Sequence, residues 1–93
     1  MVTAFVLIDV TVDAVPEVAE TVAAIEGVTE VWSCAGRYDL IAKVRVRQNE
    51  DLADVVAAGI AKVDGVRHSE TLIGFRAYSA DAVDAAFSVG EDA

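Results

Sequence analysis

An internal repeat constrains the fold of this 93-residue chain more than any other feature of its sequence. Residues 25–28 (IEGV) correspond to residues 63–66 (VDGV), 38 positions later, and the same offset pairs Gly36 with Gly74. Two copies of a strand–helix–strand unit give the order βαββαβ. We therefore predict an α+β fold, a ferredoxin-like sandwich in which two helices cover one face of a four-stranded antiparallel sheet.

Hydrophobic periodicity places the elements of the first copy. Residues 3–12 alternate in polarity, which predicts a first strand. Asp13 is the expected N-cap of a helix that has Pro16 in its first turn and ends at Gly27. Residues 28–35 are the second strand. Alternation puts four side chains of the first strand on its inner face: Val6, Ile8, Val10 and Val12.

The second copy follows a glycine turn at Gly36. A third strand covers residues 40–46, and Asn49 is expected to cap a second helix that ends before Gly65. Residues 66–78 predict a long fourth strand, and residues 81–87 a short C-terminal helix capped by Ser79. Residues 1–78 thus form one domain, followed by a helix and tail at 79–93. The inner stripe of the second helix is Leu52, Val55, Val56, Ile60 and Val63.

A two-layer sandwich leaves one sheet face without helices. That face is predicted to carry Phe5, Leu7 and Ile41, with Trp32 or its strand neighbours. The chain is 55% apolar with a mean hydropathy of +0.45, which is high for a small soluble protein. We therefore expect dimerisation through the sheet face, because packing two sheets together buries this surface.

Composition argues against several classes of function. The net charge of −9 argues against direct nucleic-acid binding, which needs a basic surface. No apolar run is long enough to span a membrane, and without a basic N-terminal signal we expect a cytoplasmic protein. A single cysteine, Cys34, and a single histidine, His68, argue against a catalytic or metal site. We expect a non-enzyme without cofactors.

The turn between the middle strands is the expected functional edge. Gly36, Arg37, Tyr38 and Asp39 bring backbone amides, a guanidinium and a carboxylate together. Each also has an ordinary structural explanation: the glycine allows the turn, the tyrosine covers the sheet end, and the aspartate caps the turn.

Two segments, residues 36–40 (GRYDL) and 65–71 (GVRHSET), resemble the effector-binding half of the leucine-responsive regulator/AsnC (Lrp/AsnC) family, also called the RAM domain. The resemblance covers residues 2–78. It implies dimers that assemble into rings, commonly octamers, with a free amino acid bound between dimers. Under this resemblance Asp39 or a nearby carbonyl would accept the ligand ammonium, while the amides of residues 36–38 and the hydroxyls of Ser69 or Thr71 would bind its carboxylate. Both hydroxyls also fit ordinary strand positions.

Two features depart from the family pattern. Full-length members carry an N-terminal helix-turn-helix, for which we expect no room here because the first strand begins almost at Met1. The position of Arg37 is often acidic in the family, so the effector is expected to differ. The chain is thus similar to stand-alone RAM proteins, and we expect it to modulate transcription or metabolism through assembly, including co-assembly with a full-length regulator.

Two alternatives share the fold. Dimeric α+β-barrel oxidoreductases or monooxygenases use a histidine or an asparagine–tryptophan–histidine set in a barrel cavity, for which His68 and Trp32 are candidates, although Asn49 is placed elsewhere. ACT-like regulatory domains bind the same ligand class but assemble with their sheets side by side. The mode of assembly separates the second alternative from the RAM interpretation.

Overall fold

The computed structural model describes residues 1–80 and confirms the βαββαβ order. The four strands form one antiparallel sheet in the spatial order β2-β3-β1-β4. Two helical segments pack on the same face of that sheet. The elements are β1 (Val2–Val10), α1 (Val15–Ala23), β2 (Val28–Ser33), β3 (Leu40–Val46), α2 (Asn49–Ala53) and β4 (Val66–Gly74).

Alternate residues of the two central strands build the core. On β1 and β3 every second side chain is fully or almost fully buried beneath the helices, and we call this side of the sheet the closed face. Burying each Val, Leu or Ile contributes about 1.5–3 kcal/mol, so this layer dominates folding stability. The buried core is Ala4, Val6, Ile8, Val10, Leu40, Ala42, Val44 and Val46, with Val18, Val22, Leu52, Val55 and Ile60 from the helices.

The repeated glycines after the two helices have a steric explanation. Gly27 and Gly65 adopt φ values of 100° and 99°, which L side chains rarely adopt. A Cβ atom on Gly65 would lie 2.8 Å from Cγ2 of Val18, and one on Gly27 would lie 2.9 Å from Cγ2 of Val55. Both copies of the repeat therefore need glycine where the chain passes beneath a helix and enters a strand.

The end of β1 differs from the prediction. The strand stops at Val10, where the pairing with β4 shifts register, and Val12 lies in a 3₁₀ turn with 87% of its surface exposed. The amide of Thr11 donates to the carbonyl of Gly65 (2.9 Å), which turns the chain away from the sheet. Asp13 lies inside the 3₁₀ turn Val12–Ala14 and does not cap α1, so that prediction was wrong.

The second helical segment also starts and continues differently. Gln48 precedes the helix, and its amide donates to the Asp51 carboxylate (3.2 Å), so Asn49 is the first helical residue instead of the cap. After α2 the backbone continues as a π-helical turn, Asp54–Gly59, and a 3₁₀ turn, Ile60–Lys62. The predicted inner stripe is retained, with Leu52, Val55 and Ile60 buried and the other two members half-buried.

Two strands are shorter than predicted because their partners end. β4 stops at Gly74 instead of residue 78, since Gly74 pairs with Thr3 at the start of β1. β2 stops at Ser33, the partner of Leu40, instead of residue 35. The predicted helix at 81–87 lies outside the described residues. No helix within residues 1–80 is long and apolar enough to span a membrane.

The opposite side of the sheet has no helices over it and carries the predicted apolar side chains. We call it the open face; it comprises Thr3, Phe5, Leu7 and Asp9 of β1 with the side chains on the same side of the other strands. Cross-strand pairing aligns Trp32 with Ile41 and Ile41 with Leu7. Trp32 is 64% exposed, Leu72 47% and Phe5 38%. A substantial apolar surface is therefore left uncovered within residues 1–80.

Candidate functional site

The β2–β3 connection is a hairpin anchored to the end of β1. The amide of Cys34 donates to the carbonyl of Asp39 (2.8 Å), which closes the loop, and the amide of Asp39 donates to the carbonyl of Ile8 (2.9 Å). Gly36 adopts φ 141° with open space around it, so a glycine at this bend is required by backbone conformation, as predicted. The loop is thus fixed by hydrogen bonds to the end of β1.

Asp39 has a structural contact that sequence analysis did not find. Its Oδ2 accepts the backbone amide of Val10 at 2.8 Å, at the position where β1 and β4 shift register. The carboxylate thus caps the end of the neighbouring strand rather than its own turn. A ligand ammonium at Asp39 would have to share the carboxylate with this bond.

Tyr38 reaches across the open face. Its hydroxyl donates to Oε1 of Glu70 on β4 at 2.7 Å, so the side chain spans β1, which lies between the turn and β4. The bond raises the pKa of Tyr38 above its ordinary value because only the protonated phenol can donate; burial and the charge of Glu70 act in the same direction, and Arg37 opposes them. Glu70 is the residue that sequence reasoning missed, since this contact depends on the sheet register.

Ser69 and Thr71 lie on the other side of β4 from Glu70. They pair with Ile8 and Val6, respectively, on the closed face, and both are half-buried. Ser69 is at the same end of the sheet as the turn, because Ile8 also accepts the amide of Asp39. Thr71 is two residue pairs farther from the turn. The structure therefore groups Gly36, Arg37, Tyr38 and Asp39, brings Ser69 to their end of the sheet, and sets Thr71 apart.

The side chains considered for catalysis, those of Cys34, Trp32 and His68, lie in positions with ordinary structural contacts or solvent exposure. Cys34 is half-buried, with its thiol 3.6 Å from the carbonyl oxygen of Trp32, and the Trp32 indole donates to Oε1 of Glu30 at 2.7 Å. His68 is an exposed residue opposite Asp9. Within residues 1–80, three or more metal-ligating side chains do not come together at any point. These positions give no support to the barrel oxidoreductase interpretation.

Comparison with known proteins decides the family. The model of the Lrp/AsnC ligand binding domain matches residues 3–83, nearly the whole chain. The chain belongs to the Lrp/AsnC ligand-binding family. This confirms the resemblance of the two motifs. It is consistent with an effector-sensing regulatory function.

Relatives of the domain fall into two lengths. The HTH-type transcriptional regulator PF0250 of Pyrococcus furiosus, itself uncharacterized, is 38% identical over 76 residues, which cover 78% of this chain and 51% of that protein. The chain thus spans about half the length of the curated relatives it matches. Among solved structures, TTHA0845 of Thermus thermophilus is 47% identical with a TM-score of 0.81, covering 85% of this chain and 99% of that one. AsnC of E. coli is 26% identical with a TM-score of 0.77, covering 82% and 52%.

Proposed function

We propose that this domain binds a free amino acid at the turn formed by Gly36, Arg37, Tyr38 and Asp39, and that binding modulates its assembly with other subunits. The observation that carries the proposal is the anchored turn. It holds Arg37 and Asp39, two residues apart in sequence, at one end of the sheet, where Arg37 is exposed. An α-amino acid carries the two complementary charges.

Each residue has a role in this proposal. Asp39 accepts the ligand ammonium while keeping its bond to Val10. Arg37, which is exposed, binds the ligand carboxylate together with turn amides. Ser69 supports the site from β4, and Thr71 has the weakest case because of its distance from the turn. Charge-assisted hydrogen bonds contribute about 1.5–3 kcal/mol each, which, less the cost of association, corresponds to binding in the micromolar to millimolar range.

Assembly is the second part of the proposal. A second copy packs on the open face, and such dimers join into a higher ring, such as an octamer, with the turn at the seam between dimers. The exposed Trp32, Leu72 and Phe5 support the dimer. The HTH-type regulators among the relatives suggest co-assembly with a full-length regulator as the route to transcription. The domain acts in the cytoplasm as a non-enzymatic module without direct contact to nucleic acid.

Thermal shift and native mass spectrometry with each of the twenty amino acids test the proposal. We expect one or a few amino acids to raise the melting temperature and change the distribution of oligomers. Arg37→Gln and Asp39→Asn should each weaken this response at least about tenfold, because each removes one charge that pairs with the ligand. Asp39→Asn is the sharper variant, since the amide oxygen can still accept the Val10 amide.

The matched control is Arg67→Gln, which removes an exposed cation from β4 outside the turn and should leave the response intact. A protein that responds to none of the twenty amino acids would refute the ligand assignment. Oligomers that persist unchanged in Trp32→Glu would refute the open face as the dimer interface.

A further inference from the structure

The C-terminal end of the turn is fixed mainly through the backbone. The carbonyl of Asp39 accepts the amide of Cys34, and its own amide donates to the carbonyl of Ile8. Its carboxylate accepts the amide of Val10. Three hydrogen bonds, two of them to the end of β1, therefore hold the Asp39 half of the proposed amino-acid site in place.

The residues before Asp39 have a single anchor. Gly36 and Arg37 have no hydrogen-bond partner among residues 1–80. Tyr38 has one in that part of the chain, the Oε1 atom of Glu70, at 2.7 Å. Because Arg37 is bonded directly to Tyr38 in the chain, its position relative to the Asp39 carboxylate depends on this one side-chain contact.

Glu70 is placed for this contact by the sheet register. It pairs with Leu7 of β1, so its side chain lies on the open face, and the Tyr38 side chain crosses β1 to reach it. The bond joins two groups of the same chain. A second copy packed on the open face would therefore cover the pair and leave both groups with a partner, which avoids the cost of burying an unpaired polar group.

We propose that Glu70 is a positioning residue of the amino-acid site: it holds Tyr38, and through Tyr38 it keeps Arg37 in a fixed relation to the Asp39 carboxylate. This inference rests on the proposed function, because it concerns the same site. Glu70 itself does not touch the amino acid. Without Glu70, residues 36–38 would have to become ordered when the amino acid binds, and this entropic cost would lower the affinity.

The same bond has a second explanation, in which Tyr38 only supplies Glu70 with a partner inside the dimer interface. The two explanations differ in what Glu70→Ala changes. A positioning role predicts a more mobile turn and weaker binding of the amino acid. A role confined to the interface predicts a change in dissociation of the oligomer while the turn and the affinity stay as they are.

NMR relaxation of the full chain measures the turn without any ligand. The order parameters of the Arg37 and Tyr38 amides should lie near about 0.85, typical of rigid backbone, in the parent and below about 0.6 in Glu70→Ala. Glu70→Gln keeps an acceptor oxygen and should restore the rigid value. The Asp39 amide is the internal reference, because its bond to Ile8 keeps it rigid in all three proteins.

Isothermal titration calorimetry measures the effect on binding. The probe is the amino acid that gives the largest thermal shift among the twenty. Glu70→Ala should raise its dissociation constant about three- to tenfold, as expected for one hydrogen bond, and Glu70→Gln should stay within about twofold of the parent. Tyr38→Phe removes the donor and should reproduce Glu70→Ala, and the double variant should bind no more weakly than either single variant.

The matched control is Glu30→Ala. Oε1 of Glu30 also accepts a hydrogen bond from an aromatic side chain, that of Trp32, at 2.7 Å, and Glu30 pairs with Lys43 on the same open face. Both residues of this pair lie in β2 rather than in the turn. Glu30→Ala should therefore change neither the order parameters of the turn nor the dissociation constant of the probe.

Two results would overturn the proposal: a turn that stays rigid in Glu70→Ala, and an affinity for the probe that is unchanged in that variant. A change confined to dissociation of the oligomer would assign the bond to the interface instead. A parent protein that binds none of the twenty amino acids would refute the proposed function itself. Binding by the parent with equal affinity in Glu70→Ala would refute only the positioning role.

Discussion

The two faces of the sheet differ although they are built from the same strands. Leu40 and Ile41 are neighbours in β3, yet Leu40 is completely buried beneath the helices whereas Ile41 is half-buried on the open face. The two central strands bury their closed-face side chains within residues 1–80, while the open face retains exposed aromatic rings. The comparison separates residues that fold the domain from residues available for contacts with other molecules.

The largest loss of stability is expected from a substitution that removes a buried side chain from the closed face. Leu40→Ala should lower the free energy of unfolding by about 2–5 kcal/mol, because it leaves a cavity in a fully packed layer. Ile41→Ala, one residue along, should cost about 1 kcal/mol or less in a monomer, since its side chain is half-exposed. Urea denaturation of both variants measures the difference. Equal losses would show that the two faces do not differ in the way described.

Alanine variants of two glycines test the same difference between the faces, with a smaller expected change in stability. Gly65→Ala should destabilise the fold by about 2 kcal/mol, because it adds a methyl group at φ 99° and within 2.8 Å of Val18. Gly74→Ala on the open face should be neutral or slightly stabilising, since the added Cβ meets only ordinary contacts. Thermal unfolding checks both variants. Destabilisation by Gly74→Ala as large as by Gly65→Ala would show that the open-face end of β4 is packed as tightly as the turn beneath α1.

Substitutions of Asp39 test the hydrogen bond that joins the turn to the end of β1. Asp39→Ala should cost about 1 kcal/mol, because the half-buried amide of Val10 loses its acceptor. Asp39→Asn keeps an acceptor oxygen and should cost less than half as much. Chemical denaturation and amide hydrogen exchange at Val10 measure the loss. Unchanged protection of this amide in Asp39→Ala would mean that the bond is not formed in solution.

The smallest effect concerns a polar contact on the open face. The Tyr38–Glu70 bond exists only while the phenol is protonated, so its contribution is complete below about pH 10 and is lost as the pH rises through the raised pKa of Tyr38. Glu70→Ala should therefore lower the pKa of Tyr38, and Arg37→Gln should raise it further because the nearby positive charge is removed. Alkaline titration of the Tyr38 ring by NMR measures both shifts. A Tyr38 pKa that is unmoved by Glu70→Ala would show that the contact is absent.

The fold was largely predictable because it follows from local patterns that repeat. Strand alternation predicted that Val6 and Ile8 enter the core, and the inner stripe of the second helix predicted Leu52, Val55 and Ile60. The element ends were less predictable: Val12 continues the alternation of β1 but lies outside the sheet, because the register shift and the Thr11–Gly65 bond redirect the chain. The alternation of polar and apolar residues does not indicate where a partner strand stops pairing.

Only those residues of the candidate site that are adjacent in sequence were predictable. Gly36, Arg37, Tyr38 and Asp39 are adjacent in sequence, so one turn motif identifies them together. Glu70, 32 residues from Tyr38, joins them only through the register of β4 on β1. The same register places Ser69 and Thr71 on the closed face, and Thr71 lies farther from the turn, which weakens its predicted role most.

The amino-acid sequence by itself determined the repeat, the four strands, the two helices and the family, because these depend on short-range periodicity and on motifs of a few residues. Tertiary structure decided what the turn contacts, which side of β4 faces the helices, and where β1 leaves the sheet. These depend on long-range pairing between strands, in which a shift of one residue moves a side chain from one face of the sheet to the other.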